Sequence, residues 1–272
     1  MAAPQSVIHI NFKAQNVLFN PAPVWGELRK VVEAGKLSGT TLLGLKDKFS
    51  DIALSIVTRF DLMKIATDEL NTSLKALFNS LPPIVPRMPD SSDGMVDGEN
   101  IIVAGDRVLL RTDSVFFEFR SYLELVAKFV YGILEGVQKA PASEQTLSSG
   151  KTVLLLKPRG NLITHNFLIF LCDQPAKSGN LPRLSTNWFT FLSGDRNLFT
   201  HGGAPYCAVE ERNDLGRRFD ALIMRMNILD FKAAPPNDYF RISEFQDVVR
   251  GATDLSLVAQ SYLMQKIAEL AR

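Results

Sequence analysis

The chain has 272 residues, 46% hydrophobic and 22% charged, a balance that suits a globular protein with a substantial core in one large domain or two small ones. Its formal net charge of +1 excludes a surface that coats nucleic acid through charge alone, while leaving room for a local cationic cleft. Two cysteines, Cys172 and Cys207, are too few for a disulfide framework or a four-cysteine zinc site, and they favour a reducing compartment.

Met1-Ala2-Ala3-Pro4-Gln5 lacks the basic-then-apolar pattern of a signal peptide, and no run approaches eighteen apolar residues, so the expected location is cytoplasmic with no membrane partner. Val7 to Phe12 suits a short strand. From Pro23 the pattern turns helical, with Trp25, Leu28, Val31 and Val32 on one face and Gly35 as the stop. Two helices are expected near 40–60 and 62–80, with a turn at Arg59 to Asp61. Residues 81–99 collect Pro82, Pro83, Pro86, Pro89, Gly94 and Gly98 and read as a linker. The expected division is therefore an N-terminal helical region at 1–80, the linker at 81–99, and a bundle with small β insertions at 100–272, the whole forming two domains or one continuous one.

Past the linker, Ile101 to Val103 and Val108 to Leu110 flank Ala104-Gly105-Asp106-Arg107, which predicts a small hairpin. A helix is expected to open at Thr112 or Asp113 and run to about Gln138, with an apolar stripe broad enough for burial on more than one side. Thr152 to Leu156 and Leu162 to Cys172 bracket a Pro158-Arg159-Gly160-Asn161 turn, although the second run suits helix as well as strand. Helices near 214–230 and 253–271 complete the chain, with a short helical turn at 244–250. The fold class is mainly α with one or two small β-hairpins.

Chemistry concentrates in Arg196-Asn197-Leu198-Phe199-Thr200-His201, which holds one of three histidines. Asp195 is placed as an N-cap before it and Gly202-Gly203-Ala204-Pro205 as a stop or bend after it. An arginine binds phosphate through a forked pair of charge-assisted hydrogen bonds, and a histidine exchanges a proton near neutral pH. On a helix Asn197 and His201 share a face, whereas Arg196 and His201 diverge by about 140°. Arg196 then reaches a shared phosphate only by swinging round the first turn, where free N–H groups also attract anions.

The run resembles the signature of the HEPN superfamily, in which Arg, usually followed by a polar residue and most often Asn, precedes His by a gap of four to six residues; here the gap between Arg196 and His201 is four and begins with Asn197. The resemblance implies an HEPN-like helical bundle, extended here by N-terminal helices, that pairs as a homodimer. It implies a metal-independent endoribonuclease without a cofactor, with RNA as substrate and Arg196, Asn197 and His201 as catalytic residues, acting as a toxin or defence effector under an antitoxin or regulatory protein. Inactive members imply the alternative, a helical module that binds a nucleotide, RNA or protein. Glu124 resembles an acidic residue that some members set against the motif from a neighbouring helix, and Arg120 stands four residues before it. With Asp195 and Tyr206 they form a candidate surrounding shell. Tyr122 and Tyr206 are candidates for stacking a base, with packing as the commoner role of such aromatics.

Other signals carry less. Ser149-Gly150-Lys151-Thr152 ends like a phosphate-binding loop, but Gln145 stands where the upstream glycine is required. His165, Cys172, His201 and Cys207 match no zinc spacing. Cys207 lies six residues after His201, a spacing open to a thiolate pair, although a buried free thiol is the commoner case.

Overall fold

A computed structural model of the chain describes residues 6–7, 10, 19–81, 98–138, 205–212, 218–224 and 239–272. The order of elements is β1 (Ser6–Val7), α1 (Ala22–Glu33), α2 (Gly39–Ser80), α3 (Gly98–Gln138), β2 (Tyr206–Arg212), β3 (Arg218–Met224), β4 (Tyr239–Arg241), a 3-10 turn (Ile242–Glu244) and α4 (Phe245–Ala271). The fold is mainly α with a small sheet, as the composition of the apolar runs predicts. The chain divides into two compact units: Met1–Phe12, Met63–Phe117 and Leu192–Val248 form the first, and Lys13–Leu62, Glu118–Phe191 and Val249–Arg272 the second. Each long helix contributes a stretch to both.

Helix α1 begins where expected. Asn20 Oδ1 accepts the Ala22 N–H at 3.0 Å, Pro23 occupies the first turn where a missing N–H is harmless, and Val24, Leu28 and Val31 are buried. Gly35, at φ 69°, takes the left-handed conformation that ends the helix, with its N–H on the Val32 carbonyl and that of Lys36 on Val31. Ser38 Oγ then accepts the Thr41 N–H at 3.0 Å and caps α2.

The turn expected at Arg59 to Asp61 is absent, because α2 runs unbroken from Gly39 to Ser80. Phe49, Ile56, Met63, Leu70 and Leu77 are all buried, so the apolar seam keeps its phase through 59–61. No glycine or proline interrupts that stretch. The hairpin expected around 101–110 is also absent, since those residues belong to α3. Ala104, Val108 and Thr112 are buried at four-residue spacing, and Thr112 Oγ1 bonds back to the Val108 carbonyl as a mid-helix threonine rather than a cap. Gly105 serves close approach instead of a turn: a Cβ there would lie 3.4 Å from that of Cys207.

In the first unit, β3 is the centre of the sheet. β2 pairs antiparallel along one edge, from Tyr206↔Met224 to Arg212↔Arg218, while β1 (parallel) and β4 (antiparallel) share the other. The helix expected near 214–230 is thus replaced in part by strand. Phe219 through Ile223 are all buried, so the run lacks the alternation that marks a half-exposed strand and reads from sequence like a helix. Phe219 packs on Phe78 of α2, and Phe116 of α3 meets Phe240 and Phe245 edge-on. Asn71 of α2 grips both backbone groups of Ile10, at 2.9 Å each. The separate elements expected at 244–250 and 253–271 are one helix, α4, after the 3-10 turn.

In the second unit, Tyr122 joins three segments: its hydroxyl accepts the Phe19 N–H at 3.0 Å and pairs with Ser256 Oγ at 2.8 Å. Gly132 and Gly136 of α3 form a cradle for Phe49 and Leu45 of α2, because a Cβ at either glycine would fall on those side chains. Gly132→Ala is expected to destabilise the protein by about 1–3 kcal/mol through overpacking, despite the better helix propensity of alanine. Urea unfolding checks this, and an unchanged or raised midpoint would contradict the cradle. The linker assigned to 81–99 lies mostly outside the described residues, as does the turn at 158–161 with its flanking runs.

Candidate functional site

Four of the seven candidate residues, Asp195, Arg196, Asn197 and His201, lie outside the described residues. The other three fall in two places. Arg120 and Glu124 come together on α3 in the second unit, and Tyr206 opens β2 in the first.

Arg120 is 9% exposed, and its Nε donates to Glu124 Oε1 at 3.2 Å. Nearby in sequence, Glu118 Oε2 accepts Arg59 Nη1 of α2 at 2.7 Å. Among its described residues the second unit therefore holds two arginine–glutamate pairs, each carried in part by α3. Taking a guanidinium out of water costs several kcal/mol unless a carboxylate meets it, so Glu124 makes the burial of Arg120 tolerable. Such a pair holds a cationic fork in a fixed orientation.

Tyr122 cannot stack a base. It is fully buried, both its hydroxyl contacts are internal, and burial pushes its pKa up to about 12 despite the bonds to Ser256 and Phe19. Tyr206 keeps partial exposure beside Cys207. The Cys207 thiol is pushed up to about 12, first by burial and then by the negative charges of Asp106 and Asp220. It stays protonated at neutral pH, which removes it as a thiolate partner for His201. We expect Cys207 to resist alkylation by iodoacetamide in the folded protein and to react on unfolding; rapid native labelling at Cys207, located by mass spectrometry of peptides, would contradict this.

One residue with a clear role escaped the sequence reading. Asp220 looks like a surface charge diluting nearby arginines, yet it is 1% exposed on β3. Its carboxylate accepts the Ser243 backbone N–H at 3.2 Å and the Ser243 hydroxyl at 2.5 Å, so it fastens the central strand to the turn that opens α4. The signal was its setting between Phe219 and Ala221-Leu222-Ile223. Burial also raises the pKa of neighbouring Glu244; Asp220 and Asp247 add to the rise, while the Arg241 backbone bond and charge oppose it.

A groove of about 600 Å³ lies between α2 and α3 within the first unit, lined by Ile65, Asp68, Glu69, Arg107, Leu110 and Arg111 among others. Arg111 Nη1 and Glu69 Oε2 bridge its two walls at 2.8 Å. Among the described residues no group of three or more His, Cys, Asp or Glu is placed to hold a metal ion, and no helix is long and apolar enough to cross a membrane. Comparison of the chain with protein-family models, curated proteins and solved structures gives no match.

Proposed function

We propose that this chain is a metal-independent endoribonuclease of the HEPN type. The observation that carries the proposal is the run Arg196-Asn197-Leu198-Phe199-Thr200-His201. The mainly α fold is compatible with it. In this reading His201 takes the proton from a ribose 2′-OH, or returns one to the 5′-oxygen as it leaves. Arg196 stabilises the charge that develops on the phosphorus oxygens, and Asn197 orients His201 or bonds the phosphate. The 2′-oxygen attacks the adjacent phosphorus, the bond to the 5′-oxygen breaks, and the products are a 2′,3′-cyclic phosphate and a 5′-hydroxyl. A single motif histidine per chain serves one proton transfer at a time, which favours two copies contributing to one cleft. Partner control by an antitoxin and a role in defence belong to the same proposal.

The test is cleavage of a mixed RNA in excess chelator, with the product ends identified. Cyclic-phosphate ends from the native protein support the reading. Products that appear only with added divalent metal, or that carry a 3′-hydroxyl, overturn the mechanism.

A further inference from the structure

Within the second unit, the exposed face of α2 breaks two local rules of helix stability. At about 100° per residue, Leu43, Gly44, Asp47, Asp51, Leu54 and Asp61 share a sector about 100° wide, and all six are exposed. Gly44 weakens the helix relative to alanine, yet a Cβ there would meet nothing within 4 Å, in contrast to Gly132 and Gly136 of α3, which make room for α2 side chains. Asp47 and Asp51 are like charges four residues apart on one side of a helix, an arrangement that repels. Among the described residues neither of them forms an ion pair, nor does Asp61. Leu43 and Leu54, three turns apart, are 59% and 68% exposed, with Val57 at 50% on the edge of the sector. No lysine or arginine falls inside it: Lys46 and Lys48 lie beyond its two edges, and Lys48 leans over the ring of Phe49. Local conflicts gathered on one exposed face mark a surface with a task beyond the fold.

We propose that this face of α2 docks a cationic amphipathic helix of a partner protein. Leu43 and Leu54 supply the apolar contact, and Gly44 lets the partner's backbone come close. Asp47, Asp51 and Asp61 set lysines or arginines along the rim, which removes the repulsion between Asp47 and Asp51 that the chain alone leaves in place. The sign of the charge selects this occupant over others. RNA and an anionic lipid surface are repelled by a sector that holds carboxylates and no cation. A second copy of the same face would bring aspartate against aspartate.

The test is fluorescence anisotropy of the full-length protein with a labelled helical peptide that has leucine along one face and lysine on the other, beside a counterpart with glutamate in place of lysine. The lysine peptide is expected to bind at least about tenfold more tightly than the glutamate one. Leu54→Ser, and Asp47→Asn combined with Asp51→Asn, are each expected to weaken it at least about tenfold, with helix content unchanged because the side chains are exposed. Gly44→Gln separates docking from folding: a better helix former in open space is expected to raise the thermal midpoint and still weaken binding. Absence of binding, equal affinity for the two peptides, or native affinity in the doubly neutralised variant overturns the proposal. So does a native dimer in sedimentation equilibrium that Leu54→Ser turns monomeric, which would give the face to a second copy. None of these readouts needs RNA or cleavage activity, so their outcome is separate from that of the ribonuclease reading.

Discussion

His201→Ala and Arg196→Ala are each expected to lower chelator-resistant RNA cleavage by about 10²–10⁴-fold, the range supplied by one well-placed proton-transfer group or one charge aimed at the transition state. The two variants separate the roles by their rescue. Arg196→Lys keeps the positive charge but loses the forked geometry that fits two phosphate oxygens, so it should recover only part of the rate. Removal of the His201 imidazole should also abolish whatever pH dependence near neutrality the proton transfer gives the native enzyme. A substrate with a single 2′-deoxyribose at the cleaved position should be inert, because the attacking oxygen is then missing. If His201→Ala retains the native rate with an unchanged melting profile, the ribonuclease reading fails whatever the oligomeric state.

What could be read in advance follows from the physics of each segment. Helix α1 was legible because its boundaries are chemical: proline in the first turn, then Gly35 in a conformation that other residues resist. Taken apart, the apolar positions of 40–60 and 62–80 suggest two helices, but Ile56 and Met63 are one heptad apart and both buried, so a single helix carries the seam through 59–61. Gly105 suggests a turn because sequence shows the missing side chain and not the neighbour; the residue it makes room for, Cys207, lies far along the chain. Phe219 to Ile223 misled in the opposite sense, since burial on both faces erases the period of a strand. Asp220 was missed for a related reason: its partner Ser243 belongs to another element, and nothing local distinguishes a carboxylate that fastens a helix start from one that faces water. The chemical motif is legible only as residue types and spacing, and the proposed reaction class rests on those alone. Of its proposed shell, the pairing of Arg120 with Glu124 followed from their four-residue separation on a helix.

Phe129→Ala should be the most damaging single substitution in the second unit, at about 3–5 kcal/mol. Phe129 is fully buried, and three aromatic rings meet it edge-on: Phe19 at 5.6 Å, Trp25 at 5.6 Å and Phe49 at 6.4 Å between centroids. These rings come from the segment before α1, from α1 and from α2, so one side chain of α3 serves three elements that all lie far from it in sequence. Truncation removes its transfer free energy and leaves a cavity that the surrounding elements cannot easily fill. Gly132 already brings the backbone of α3 against Phe49, and neither helix can move closer there without a clash. Phe129→Leu retains most of the volume but loses the edge-to-face geometry, which is worth about 0.5–1.5 kcal/mol per aromatic pair beyond area, so it should fall between native and alanine. Urea unfolding followed by far-UV circular dichroism orders the three proteins. A loss below about 1 kcal/mol for Phe129→Ala, well under the range for a truncated core aromatic, would show that the unit does not depend on this cluster. The same helix carries Arg120 and Glu124, which pair within one turn of α3. The alanine variant is therefore expected to lose stability, whereas His201→Ala is expected to lose catalysis and keep the fold.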